Sequence, residues 1–259
     1  MLRNKNQIYS QKIIKNYKKE NLENWKNIAD YWLTENLRHV EDNLNFIKER
    51  LRLITKPNMT IVDMGCGSGF LYDLVKDLNL NIKYIGLDFN ATFIDFLNKK
   101  YKDDDNSDFI LVDFEEAIPL ELEGVADIVV NFFNFIEVES FDKAFSIGVK
   151  LLNSSGIFSI LTIEYAFLIL AISKDMEDFK KKLREYEEIK ESGYKPLAFQ
   201  EIDLGQAVSE DLAYGSVFHS TKDYLQNGIK HKLELKLYDE IICTAKYVPK
   251  TYQYIEFSK

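Results

Sequence analysis

The spacing of apolar residues shifts along this chain from a helical beat to short strand-like runs and back. Near the N-terminus Trp25, Ile28, Ala29 and Trp32 recur at helical spacing. Leu37, Val40, Leu44, Ile47 and Leu51 continue in steps of three and four that keep them on one face. Thr55-Lys56-Pro57-Asn58 breaks this helix. Short apolar runs then predict strands at 60–64, 83–88, 108–113, 126–131 and 157–163. Helix-compatible stretches at 70–78, 91–101 and 141–152 separate them, the last stopped by Asn153-Ser154-Ser155-Gly156. Strands alternating with helices imply a parallel sheet covered on both faces.

Beyond the fifth strand the rhythm changes. Residues 165–190 carry a long helical pattern with Lys180, Lys181, Lys182 and Glu185 on it, and 191–206 look irregular. A connection of roughly fifty residues before the helix predicted at 221–228 exceeds an ordinary loop, and excursions of that length are often lids or substrate caps. Two β-rich runs, 232–247 and 251–257, close the chain as a hairpin through Val248-Pro249-Lys250. The expected division is a helical arm at 1–36, a core at 37–164, a helical cap at 165–218 and a core-completing segment at 219–259.

Composition narrows the class. With 259 residues, 46% of them apolar, and only 11 Gly and 4 Pro, the chain can bury one large core. No stretch is long and uncharged enough to span a bilayer. The N-terminus lacks a secretory hydrophobic segment and two cysteines cannot build a disulfide framework, so a reducing cytoplasm is the expected home. A net charge of −9 opposes attraction to phosphate backbones, which argues against a nucleic-acid partner. The first 26 residues are the exception, with Arg3, Lys5, Lys12, Lys15, Lys18, Lys19 and Lys26 outnumbering Glu20 and Glu23. Such a run is usually the solvated face of a helix.

Residues Ile61 to Gly69 read I-V-D-M-G-C-G-S-G, an apolar strand that opens into the alternate glycines Gly65, Gly67 and Gly69. Alternate glycines at a strand exit let the backbone turn tightly and approach a ligand, and the following helix aims its N-terminal amides there. A nucleoside-bearing ligand is implied. The dinucleotide fingerprint G-x-G-x-x-G would need a glycine where this chain has Phe70, which disfavours a nicotinamide oxidoreductase. Asp88 closes Tyr84-Ile85-Gly86-Leu87-Asp88, nineteen residues after Gly69, where a carboxylate can accept both hydroxyls of a ribose. Asn90 is available to cap the helix that follows.

With Asp63 on its strand, the glycine run resembles the first motif of the class I S-adenosylmethionine-dependent methyltransferases. That resemblance implies an α/β fold: a doubly wound, mostly parallel seven-stranded sheet whose last strand is antiparallel, with the terminal hairpin completing it. S-adenosyl-L-methionine is the implied cofactor and S-adenosyl-L-homocysteine its product, the glycines accommodating the methionine end. Asp88, with Phe89 after it, would hold the ribose. Asp113 would hold the adenine amino group with Phe114 against the ring, and Asp63 would order the loop amides. Asn131 and Phe132, at the end of the fourth strand, would pass near the sulfonium, where aromatic faces favour a cation. Cys66 lies in the loop as a small residue without chemistry of its own.

The same resemblance makes Tyr31 and Trp32 an aromatic lid, Trp32 over the cofactor and Tyr31 toward the acceptor, with core packing as the alternative. Phe135, Glu164 and Tyr165 are expected near the acceptor. His219, where the cap returns, has a near-neutral pKa suited to taking a hydroxyl proton. His39 and His231 read as structural. There is no N-P-P-Y motif of amino-methyltransferases and no Pro-Cys pair of cytosine C5 enzymes. The acidic set of the metal-dependent catechol enzymes is also missing, so no metal is expected. The expected activity is methylation of O or N on a small-molecule acceptor. A protein, peptide or tRNA methyltransferase and a non-catalytic cofactor-binding subunit stay open.

Overall fold

The computed structural model describes residues 22–23, 25–26, 29–30, 33, 41–138, 140–163, 173–191, 197–200, 214–217, 219–244 and 249–259. Tyr31, Trp32, His39, Glu164 and Tyr165 lie outside them, as does most of the 1–36 arm. The core begins with α1 (Glu41–Ile54). It then alternates β1 (Thr60–Met64), α2 (Phe70–Lys76), β2 (Lys83–Asp88), α3 (Ala91–Lys100), β3 (Ser107–Leu111), β4 (Ala126–Phe132), α4 (Phe141–Leu151) and β5 (Leu152–Ile163). Then come α5 (Met176–Glu191), β6 (Leu197–Gln200), β7 (Tyr214–Val217), α6 (Thr221–Lys230), β8 (Glu234–Thr244) and β9 (Pro249–Ser258).

Seven strands form one sheet in the order β3-β2-β1-β4-β5-β9-β8. β1 to β5 pair in parallel, β9 is antiparallel to both β5 and β8, and six strands therefore point one way with the last against them. The alternation seen in the sequence has its cause in burial on both faces. Ile61, Ile128 and Val130 join one apolar cluster with Ile47 and Leu51 of α1, Leu71 and Val75 of α2 and Leu97 of α3. Their neighbours Val62 and Val129 join the opposite cluster with Phe145 and Val149 of α4 and Tyr224 of α6.

Several boundaries differ from the sequence expectation. β3 ends at Leu111, so Asp113 lies in the turn beyond it, and α2 stops at Lys76. Asn153-Ser154-Ser155-Gly156 does not separate α4 from its strand. β5 starts at Leu152, which pairs with Ala126, and the next pair is Ile128 with Ile157, so these four residues form a bulge. Asn153 Nδ2 holds it by donating to Asp127 Oδ1 at 2.8 Å. β6 falls within the stretch read as irregular and pairs with β7 beyond it as a separate antiparallel ribbon. Among the described residues no helix is long and apolar enough to cross a membrane.

A buried polar network fastens α1 to the antiparallel end of the sheet. The Arg50 guanidinium donates from Nη2 to both oxygens of Glu256 at 2.7 Å and from Nε to Oε1 at 3.2 Å. Tyr254 also donates to Glu256, and its hydroxyl lies 2.8 Å from Ser159 Oγ. Glu256 is only 4% exposed, so these donors replace the water that an ionised carboxylate would otherwise need.

Candidate functional site

The glycine loop hangs from the end of β2. Gly65 and Cys66 both donate their N–H groups to Leu87 O, at 2.7 and 3.0 Å, and Gly69 N–H closes the turn onto Cys66 O at 2.9 Å. Gly65 and Gly69 sit at φ +86° and +81°, a region open to glycine and strained for other residues. At Gly67 a Cβ would meet no atom within 4 Å, so the loop leaves open space there. Cys66 turns inward at 2% exposure. Burial, and then the charges of Asp88 and Asp63, push its thiol well up, which keeps it protonated and inert.

Asp88 is joined to this loop directly. Its Oδ2 accepts from Gly67 N–H at 2.9 Å and its Oδ1 from Asn90 N–H at 2.8 Å. Asn90 rather than Asp88 caps α3, its side chain accepting from Thr92 N–H at 3.0 Å. Burial raises the Asp88 carboxyl to about 6, against the opposing N–H groups of Asn90, Gly67 and Phe89. Three backbone N–H groups on two oxygens still leave the carboxylate an acceptor position for a hydroxyl donor. Asn90 Nδ2 also donates to Trp25 O at 3.0 Å, and the Trp25 ring meets Phe93 edge-on at 6.0 Å. Trp25 is thereby anchored beside Asp88, a link with no signal in the sequence.

Asp63 faces away from the loop amides it was expected to order. At 3% exposure it accepts from the Tyr84 hydroxyl, and burial raises it to about 7, Tyr84 opposing and the Asp88 charge adding. The loop amides go to Leu87 and Asp88 instead. Asp113 lies two residues past the β3 residue paired with Asp88, and its Oδ1 accepts from Glu115 N–H at 2.9 Å. The two acids thus stand at neighbouring strand ends. Phe89 is half-buried, whereas Phe114 is 5% exposed and belongs to the second apolar cluster.

The segment after β4 departs further from expectation. Asn131 is fully buried, Nδ2 donating to Met64 O at 3.4 Å and Oδ1 accepting from Phe135 N–H at 3.1 Å. Its polar atoms bind β4 to β1 and to the next turn, so it is a structural tie rather than a ligand contact. Phe132 is 6% exposed within the first cluster. Phe135 is 1% exposed and ringed by Phe141, Phe145, Phe158 and Tyr224, which makes it core and corrects its placement beside an acceptor. The residue that reaches the glycine loop is Asn134, whose Nδ2 donates to Gly65 O and Phe132 O, each at 2.9 Å. Sequence reasoning missed it; the only hint is a polar residue interrupting a run of phenylalanines.

His219 is 8% exposed and stacks on Phe141 with ring centroids 4.0 Å apart, its edge toward Tyr224. It follows β7, which lies against the turn Asn134–Glu137. β7 therefore runs beside the end of β4. Among the described residues no group of three or more His, Cys, Asp and Glu could hold a metal ion.

Residues 55–233 match a family model described as a methyltransferase domain. A malonyl-[acyl-carrier protein] O-methyltransferase from Acetivibrio thermocellus is 27% identical over 118 residues, which is 46% of this chain and 40% of that protein. The chain thus aligns with well under half the length of this curated relative. A SAM-dependent methyltransferase from Methanosarcina mazei superposes with a TM-score of 0.60 at 14% identity, covering 81% of this chain and 96% of that one. A geranyl diphosphate C-methyltransferase from Streptomyces coelicolor A3(2), solved with Mg2+, geranyl diphosphate and S-adenosyl-L-homocysteine, superposes with a TM-score of 0.55. It is 12% identical, over 84% of this chain and 80% of that one. Together with the sheet order, the glycine loop and the paired acids, these matches show that the chain belongs to the methyltransferase-domain family, and its fold is that of the class I S-adenosylmethionine-dependent methyltransferases.

Proposed function

We propose that the protein transfers a methyl group from S-adenosyl-L-methionine to an oxygen or nitrogen of a small-molecule acceptor. The observation that carries this reading is the Asp88 carboxylate, bonded to Gly67 of the loop and still able to accept from a ribose, with Asp113 at the adjoining strand end. The open space at Gly67 fits a nucleoside with an amino-acid tail. When bound, the cofactor supplies a sulfonium whose methyl group is already activated for displacement. The protein's own work is alignment. Asp88 and Asp113 fix the nucleoside end, the glycine loop receives the methionine end, and the segment after β4 excludes water with aromatic side chains.

The acceptor is proposed to enter beneath the cap, because β7 lies against the turn that follows β4. The O-methyltransferase among the relatives favours an oxygen acceptor. His219, at the return of the cap, is proposed to take the acceptor's proton. Isothermal titration calorimetry tests the cofactor: S-adenosyl-L-homocysteine should bind and NAD should not. Tight NAD binding without a response to S-adenosyl-L-homocysteine would overturn the reading.

A further inference from the structure

The Asn134 carboxamide occupies a position that two backbone carbonyls define as a site for a nitrogen donor. Two backbone carbonyls, Gly65 O and Phe132 O, converge on the single Nδ2, each at 2.9 Å. Two acceptors leave no choice of amide orientation, since only the NH2 end can donate. A Cβ built on Gly65 would lie 2.0 to 2.4 Å from the Asn134 carboxamide atoms, so the amide fills the volume that this glycine opens. Its approach is set by Phe133, a non-glycine residue at φ +66°, held there by Phe133 N–H donating to Leu161 O at 2.7 Å and by its ring against Tyr252 at 5.2 Å. Left-handed backbone at a bulky residue is uncommon and persists where surrounding contacts enforce it.

We propose that Asn134 is a built-in competitor for the methionine end of the cofactor. This inference rests on the cofactor reading given above. The methionine end carries an ammonium, a nitrogen donor that matches the pair of carbonyls now taken by the Asn134 amide. A charged donor makes the stronger hydrogen bonds, so the cofactor displaces the neutral amide, and Asn134 swings out of the loop as it does so. In the absence of ligand the same amide satisfies both carbonyls and keeps the loop in shape. The residue thus positions the loop before binding and lowers affinity on binding, an effect that speeds release of the product.

Calorimetry on the full chain tests this with two ligands, S-adenosyl-L-homocysteine and 5′-methylthioadenosine, which keeps the nucleoside but lacks the amino-acid end. In Asn134→Ala the dissociation constant for S-adenosyl-L-homocysteine should fall by roughly five- to a hundredfold, the worth of two neutral hydrogen bonds no longer broken. The constant for 5′-methylthioadenosine should not change. Asn134→Ser, too short to reach both carbonyls, gives the same comparison should the alanine variant fail to fold. Unchanged or weakened S-adenosyl-L-homocysteine binding overturns the proposal, as does an equal shift for both ligands, which would mark a purely structural role. No binding of S-adenosyl-L-homocysteine to wild type or variant overturns the cofactor reading itself, and this inference with it.

Discussion

Cofactor binding should weaken in acid, and the carboxylate of Asp88 sets both the sign and the size of the effect. At 5% exposure its pKa is raised to about 6, while two N–H groups hold it in place. In the proposed binding mode ribose hydroxyls donate to the ionised carboxylate, so the ligand selects the form that predominates above pH 6. Below that value each pH unit removes about ninety per cent of the competent form, and the dissociation constant rises about tenfold, or about 1.4 kcal/mol per unit. Asp63, raised to about 7, acts the other way: its protonation removes a like charge beside Asp88 and favours the ionised Asp88. The S-adenosyl-L-homocysteine dissociation constant should therefore be flat from pH 8 to near 6 and about tenfold higher at pH 5.

Asp88→Asn should lose about 1.5–3 kcal/mol of binding at pH 8, the range for charged hydrogen bonds, and should lose the pH dependence as well. Calorimetry at pH 5, 6, 7 and 8 on both proteins, with circular dichroism to confirm folding, reads both quantities. A wild-type constant that stays level down to pH 5, or an acid-side slope that survives in Asp88→Asn, would refute the assignment of the ribose to this carboxylate.

The stability of the fold should respond to Asp63 in the opposite sense. Its folded pKa, about 7, lies above the ordinary aspartate value, so the associated stability is present below about 4 and lost as pH rises through 7. Urea denaturation of Asp63→Asn against wild type should then show the variant gaining about 2–4 kcal/mol relative to wild type between pH 4 and pH 8. A constant difference over that range would contradict it. Arg50→Met leaves Glu256, 4% exposed, without its cation and should cost about 3 kcal/mol in denaturation at pH 7. S-adenosyl-L-homocysteine affinity per folded molecule should be unaltered, and a loss too small to measure would show that the network contributes nothing net. His219→Phe preserves a ring against Phe141 but cannot move a proton, so single-turnover methyl transfer should slow by roughly 10²–10⁴-fold with cofactor affinity intact. An unchanged rate would leave alignment as the sole catalytic device.

The sequence by itself determined the features that depend on neighbours along the chain. The strands read at 60–64, 83–88 and 126–131 were legible because both faces of a central parallel strand are buried, which forces an apolar run bounded by turns. The glycine loop was legible because positive φ at Gly65, Gly67 and Gly69 is a local demand that few residues other than glycine meet. Asp88 was legible because it closes a strand next to that loop. The position of β9 between β5 and β8 was implied by family resemblance rather than by alternation, which cannot say which strands pair.

Tertiary structure decided what each polar side chain is for. Asn131 and Asn134, three residues apart in one apolar run, are equivalent by any local rule. One is consumed by Met64 O and Phe135 N–H, and the other by Gly65 O. Asp63 and Asp88 both sit at strand ends, yet one meets a tyrosine hydroxyl and the other two backbone amides. Phe135 became core because α4 and α6 place rings around it. A buried donor or acceptor must find a partner within about 3 Å, and which atom lies there depends on how distant strands and helices pack.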